Sequence, residues 1–136
     1  MNVNPYVNFN GQCEEAMKFY EKLMGGKIEA MMSFKGSPME SQVPAERRDK
    51  IMHARMKVGD TLLMASDAPP DRYEPPKGFM VTIQLKDPKE ADRVFKGLSE
   101  KGNVQMPIQE TFWAARFGMV TDRFGVPWMV NCDKPA

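Results

Sequence analysis

QETFWAARFGMVTDRFGVPWMVN, residues 109–131, is the stretch from which the fold can be read. Two runs rich in apolar and β-branched residues, Ala114 to Thr121 and Val126 to Asn131, flank DRFG, a polar group with a glycine suited to reversing the chain. They read as two strands joined by a turn, and Val104 to Glu110 reads as the strand before them. Working further back, Ala91, Val94, Phe95 and Leu98 recur at helical spacing, with Asp87 as N-cap and Pro88 at the first helical position. Gly102 stops that helix, and Phe79 to Leu85 reads as a strand ahead of it. Residues 79–136 therefore spell β, α, β, β, β.

The same order precedes it. VNPYVNF, residues 3–9, reads as a strand, and Asn10 and Gly11 break the chain before a helix. That helix carries Ala16, Met17, Tyr20, Leu23 and Met24 on one face and Glu14, Glu15, Lys18, Glu21 and Lys22 on the other. Gly25 and Gly26 end it. Lys27 to Phe34 reads as a strand, and the aperiodic KGSPMESQVPAERRDK, residues 35–50, as a mobile surface loop. IMHARMKV, residues 51–58, alternates, Gly59 and Asp60 turn the chain, and TLLMASD, residues 61–67, returns as its antiparallel partner. Between the halves, DAPPDRYEPPKG is too rich in proline for helix and suits an extended connector or lid. One domain is expected over 1–136, with modules over about 1–67 and 79–136 and the connector over about 68–78. Placing Glu14-Glu15-Ala16 on Lys89-Glu90-Ala91 brings Tyr20 onto Phe95 and Leu23 onto Leu98. Each module alone leaves an apolar sheet face uncovered, so the α+β class comes with an expected pairing of modules and of chains, as a homodimer.

Composition narrows the partners. The 136 residues are 42% hydrophobic, enough for one core, and carry 19 basic and 18 acidic residues for a net charge of +1. No field is available to gather nucleic acid or an anionic membrane surface. No apolar run approaches the roughly 20 residues that span a bilayer, and Asn2, Asn4, Pro5 and Asn8 interrupt any leader-like run, so a soluble cytoplasmic chain is expected. Cys13 and Cys132 lack metal or redox spacing and suit buried thiols in a reducing compartment. Thirteen methionines suit core filling or an adaptable pocket.

Four blocks carry a resemblance: NPYVNFNG (4–11), EEAMKFYEKLMGG (14–26), IMHARMKVGDTLLMASD (51–67) and the opening stretch itself. Together they resemble PhnB-like proteins of the vicinal oxygen chelate superfamily, which includes glyoxalase I, extradiol dioxygenases, and fosfomycin and bleomycin resistance proteins. The resemblance implies two paired βαβββ modules whose curved mixed sheets surround a cavity. In metal-dependent relatives, the first and last strands of each half each supply a ligand, usually His or Glu. Those positions fall here on Pro5, on Leu63 or Met64, on Phe79 or Met80, and on Met129, none of which suits a hard divalent ion. No metal and no cofactor are expected. Some relatives are called demethylubiquinone methyltransferases, but this chain has no glycine-rich strand-to-helix turn of the kind that cradles a nucleotide-type cofactor.

Candidate site residues follow from chemistry. His53 is the chain's single histidine and is suited to general acid or base work, or to a hydrogen-bonded structural place in a strand. Arg55, two residues on, shares its sheet face and suits an anion or a structural ion pair. Glu110 is a candidate base or backbone cap, and Arg116 a fork for carboxylate or phosphate. In a continuous strand Phe112 and Arg116 would share one face with Trp113 on the other, and a bulge would change that. Phe112, Trp113, Trp128 and Met129 join Arg55 as candidate ligand-binding residues, the aromatics serving equally as core or interface anchors. Tyr73 suits either the mouth of a pocket or an exposed loop. Three readings stay open: small-molecule binding without a metal, a lyase, isomerase or dioxygenase-like enzyme around His53, Glu110 and Arg116, and a dimeric interaction protein.

Overall fold

The computed structural model describes residues 1–136 as two compact units, Met1–Glu74 and Pro75–Ala136. The first contains β1 (Tyr6–Phe9), α1 (Cys13–Met24), β2 (Lys27–Ser33), β3 (Ile51–Val58) and β4 (Thr61–Asp67). The second contains β5 (Val81–Leu85), α2 (Pro88–Ser99), β6 (Asn103–Gln109), β7 (Ala114–Thr121) and β8 (Pro127–Asp133). Each unit is an open four-stranded mixed sheet with one helix, in the strand orders β1-β4-β3-β2 and β5-β8-β7-β6. The outer pairs β1–β4 and β5–β8 are parallel, and the other pairings are antiparallel.

The helices lie where the apolar spacing puts them. On α1, Cys13, Ala16, Met17 and Tyr20 are buried, and Gly25 ends it with φ 68°, a left-handed conformation that glycine adopts without Cβ strain. On α2, Ala91, Val94, Phe95 and Leu98 are buried, and the Asp87 carboxylate accepts from the Lys89 N–H at 3.0 Å. The sheet approaches α2 so closely at Gly118 that a Cβ there would lie 2.6 Å from Phe95 Cε1.

Two buried aspartates organise the strands. Asp67 accepts from the backbone N–H of Cys13 at 2.9 Å and of Ile51 at 2.8 Å, tying the start of α1 and the start of β3 to the end of β4. Asp122 accepts from the N–H groups of Phe124 and Val126 and from Trp128 Nε1–H, at 2.9, 3.0 and 2.8 Å. The DRFG turn is thus closed by its own first side chain, which also holds the indole of the strand that follows.

Three details differ from the sequence expectation. The first strand begins at Tyr6 rather than Val3, because Pro5 has no N–H for the ladder, although its carbonyl accepts from Met64 N–H at 3.1 Å. The fifth begins at Val81, with Phe79 and Met80 ahead of it. Residues 35–50 contain two 3₁₀ turns, Glu40–Gln42 and Ala45–Arg47, and are fastened by cationic side chains. Arg48 Nε–H donates to the Glu40 and Val43 carbonyls, Arg47 to the Ala68 carbonyl and Lys50 to the Gly11 carbonyl.

Candidate functional site

Alternation along each strand separates a helix-covered face from a face left open within its own unit. In the first unit Ala54, Met56, Leu63 and Ala65 are buried on the helix side. His53 and Arg55 alternate with them and point the other way, as their spacing predicts. Across the ladder Met32 pairs with His53, and Met64 pairs with both Arg55 and Tyr6. The open face of the first sheet therefore brings Tyr6, Met32, His53, Arg55 and Met64 together.

Two contacts orient its polar groups. Tyr6 reaches over β4 so that its hydroxyl lies 3.3 Å from His53 Nδ1, with the rings stacked at 5.8 Å between centroids and 28° between planes. When the hydroxyl donates, the imidazole keeps its proton on Nε2, which has no partner within the chain. Arg55 Nε and Nη2 each lie 3.2 Å from Glu29 Oε1, in a pair whose side chains are 45% and 36% exposed.

In the second unit the open face carries Thr82 and Gln84 of β5, Phe117 and Met119 of β7, and Met129 and Asn131 of β8. Gln84, Asn131 and Asp133 form a closed set: Asn131 Nδ2 donates to Gln84 Oε1 at 3.0 Å and to Asp133 Oδ1 at 2.9 Å, and Gln84 Nε2 donates to Asp133 Oδ2 at 3.1 Å. Thr82 Oγ1 donates weakly to Met129 Sδ at 3.8 Å.

The other candidates are distributed over the second unit. Glu110 follows β6, largely exposed, 3.5 Å from Lys134 Nζ. Arg116 lies 3.0 Å from Asp92 of α2, on the helix side of its sheet. Alternation with Gly118 and Val120 puts it there, and the register shift between Ala114 and Arg116 changes the pattern only for the residues before it. Phe112 and Trp113 precede β7 in a turn closed by Thr111, whose Oγ1 accepts from Trp113 and Ala114 N–H. Phe112 is 89% exposed and stands edge-on to Trp113, which in turn stands edge-on to Phe117. Trp128 is 2% exposed and held by Asp122. Met129 is half-buried on the open face. Tyr73 is half-buried in the connector, its N–H donating to the Pro69 carbonyl. Tyr6 was missed by sequence reasoning, because its partnership with His53 spans 47 positions and depends on the parallel pairing of β1 with β4.

The chain can be tested for the metal that the resemblance implies. The first and last strands of each unit lie side by side, and their facing open-side residues are Tyr6 with Met64 and Thr82 with Met129. Those donors, two hydroxyls and two thioethers, do not fit a hard divalent ion. Nor does any group of three or more His, Cys, Asp or Glu side chains come together in the chain. No helix is long and apolar enough to cross a membrane.

Comparison with known proteins agrees with this architecture. The profile of the Glyoxalase/Bleomycin resistance protein/Dioxygenase superfamily matches residues 2–130. Protein YjdN of Escherichia coli K12 is 35% identical over 142 aligned positions, covering 98% of this chain and 97% of that protein. The crystal structure of PA1353 from Pseudomonas aeruginosa superposes with a TM-score of 0.90 at 50% identity, covering 99% of both chains. The PhnB protein of Bacillus cereus, whose name carries a provisional 3-demethylubiquinone-9 3-methyltransferase designation, superposes with a TM-score of 0.83 at 22% identity, covering 97% of this chain and 99% of that one, and shares the fold.

Proposed function

The chain belongs to the glyoxalase/bleomycin resistance/dioxygenase superfamily as a PhnB-like member, and from that membership we propose that it binds a small organic molecule on its open sheet faces without the superfamily's metal centre. The observation that carries this reading is the donor set. The facing open-side residues of the first and last strands are Tyr6, Met64, Thr82 and Met129, and like Pro5, Phe79 and Met80 nearby they include no carboxylate or imidazole. The same positions offer hydroxyls for hydrogen bonds and polarizable thioethers for an apolar body. The working unit is a homodimer in the cytoplasm. The exposed apolar side chains Phe79, Val104, Phe112 and Trp113 support the first part, and two buried free thiols the second.

The test is a thermal-shift screen of metal-stripped protein against a chemically diverse set of small molecules, with elemental analysis of the protein as purified. A ligand at a hundred times its Kd adds about 2.7 kcal/mol of stability, with no metal required. A stoichiometric, tightly held metal, or stabilisation that appears only when metal is restored, overturns the reading.

A second reading, an enzyme centred on His53, is favoured by one observation, the hydroxyl of Tyr6 beside His53 Nδ1. An imidazole oriented at one nitrogen and unspent at the other is arranged for proton transfer. Glu110 and Arg116 each have an ion-pair partner of their own, Lys134 and Asp92, which leaves the chemistry to His53. Once a turnover is measured, His53→Ala abolishes it. Turnover that persists in a merely less stable protein removes this reading.

A further inference from the structure

The open face of the first sheet is unevenly charged. β3 presents His53, Arg55 and Lys57 in alternation, and Lys27 stands directly opposite Lys57 in the ladder. Like charges facing each other across strands are unfavourable. Among the side chains on this face, Glu29 is the sole carboxylate, and it is taken up by Arg55. The whole chain carries a net charge of only +1, so this surplus is a local feature.

We propose that this face is a site for a small organic carboxylate with a flat apolar body, an inference that rests on the metal-independent binding reading and names its ligand class. His53 Nε2–H and the Arg55 guanidinium hold the carboxylate. The two stand two residues apart on one face of β3, and a planar guanidinium matches a carboxylate's two oxygens. Tyr6 is a positioning residue: by donating to Nδ1 it keeps the imidazole proton on Nε2, where the ligand meets it. Met32 and Met64, ladder partners of His53 and Arg55, supply the apolar contact. Arg55 is available because an ion pair as exposed as the one with Glu29 contributes little to stability, so the guanidinium exchanges one carboxylate for another at small cost. Register explains why the other unit lacks this site. Laying Tyr6–Met64 on Thr82–Met129 puts Met119 in the place of Arg55 and Phe117 in the place of His53.

The experiment uses the full, metal-stripped chain and titrates benzoate, benzyl alcohol, benzylamine and inorganic phosphate, read by the imidazole signals of His53 in NMR and by thermal shift. Benzoate is expected to give a saturable change at His53, with the neutral and cationic analogues and bare phosphate at least tenfold weaker. Arg55→Met weakens benzoate by about 10- to 100-fold, the range of a lost charge-assisted hydrogen bond. Glu29→Gln tightens it by freeing Arg55, a gain that general loss of stability cannot produce. Tyr6→Phe shifts the His53 tautomer ratio and weakens benzoate while the fold is retained. The inference is overturned if benzoate gives no saturable change, if an analogue or phosphate binds equally well, or if Glu29→Gln weakens binding. If benzyl alcohol or benzylamine binds in place of benzoate, the carboxylate inference falls and the metal-independent binding reading stands.

Discussion

Replacing Asp122 by alanine tests whether the most distinctive block of the sequence is scaffold. Asp122 is 4% exposed, and its carboxylate accepts from two backbone N–H groups of the turn and from the indole of Trp128, itself 2% exposed. Removing it leaves a buried Trp N–H unsatisfied, at about 1–3 kcal/mol, and deletes two charge-assisted bonds that hold Phe124 and Val126 in the turn. Allowing for non-additivity within one network, the expected loss is about 4 kcal/mol, or roughly 12 °C in the melting midpoint of a domain this size. The assay is thermal and urea unfolding in a Trp113→Phe background, where emission reports Trp128 alone. The variant should melt early with Trp128 emission moved to longer wavelength as water reaches the indole. A loss under about 1 kcal/mol with unchanged emission would refute the reasoning, because losses that small belong to surface substitutions.

Two further perturbations probe the core beneath the open faces. Gly118→Ala places a Cβ 2.6 Å from Phe95 Cε1 and 3.0 Å from Ile108 Cα, so a loss of about 1–3 kcal/mol is expected, partly restored by Phe95→Leu; equal midpoints for wild type and Gly118→Ala would show that the helix shifts freely. Cys13 is fully buried, and burial, then Asp67 and Glu14, push its thiol well above the ordinary range. The native thiol stays protonated while the unfolded one ionises, so stability is whole below pH about 8.5 and falls above it by about 1.4 kcal/mol per unit from this group. Cys13→Ala flattens that slope in urea titrations at pH 8 to 10, and alkylation of Cys13 at pH 8 should require unfolding.

What the sequence made legible, and what it did not, divides along a physical line. Helix faces were legible because burial recurs every three or four positions, as at Ala91, Val94, Phe95 and Leu98. The 51–67 hairpin was legible because Gly59 and Asp60 sit between alternating runs, and alternation also put His53 and Arg55 on a common face. Alternation holds along β7 from Arg116, which with Gly118 and Val120 faces the helix and meets Asp92. It fails before Arg116, where the extra residue after Ala114 breaks the pattern, and no single residue type announces such a bulge. Phe112 and Trp113 fell between two expected strands, and their faces could be assigned only if the strand ran on. Instead the Thr111 hydroxyl accepts from the Trp113 and Ala114 N–H groups and closes a turn there, a tertiary detail that spacing does not carry. Tyr6 was out of reach for another reason. Its role comes from β1 pairing with β4 rather than with β2, and strand order is a tertiary fact.

The two ladders also say where a binding function can differ between the halves. With Tyr6–Met64 laid on Thr82–Met129, the helix-side pair Val7–Ala65 falls on Ile83–Val130, and both pairs are aliphatic. The open-side pairs do not match in this way: Tyr6 answers to Thr82, and His53 and Arg55 to Phe117 and Met119. A helix-side position must fill a close-packed interior, where a changed volume costs stability whatever the ligand. In the first unit the open-side Tyr6, Met32, His53, Arg55 and Met64 are exposed or half-buried, so they are released from that constraint and can take up a charge, a proton or an aromatic ring at little cost to the sheet. The His53 imidazole can therefore be replaced without unfolding the first unit, and His53→Phe, which copies the residue at the matching place in the second, is the variant that separates binding from stability. It should melt within about 1 kcal/mol of the parent, as substitutions outside the packed core do, while losing the thermal shift that benzoate gives the parent. A stability lowered by several kcal/mol would show instead that the Tyr6–His53 contact belongs to the scaffold and that the open face is part of the packed core.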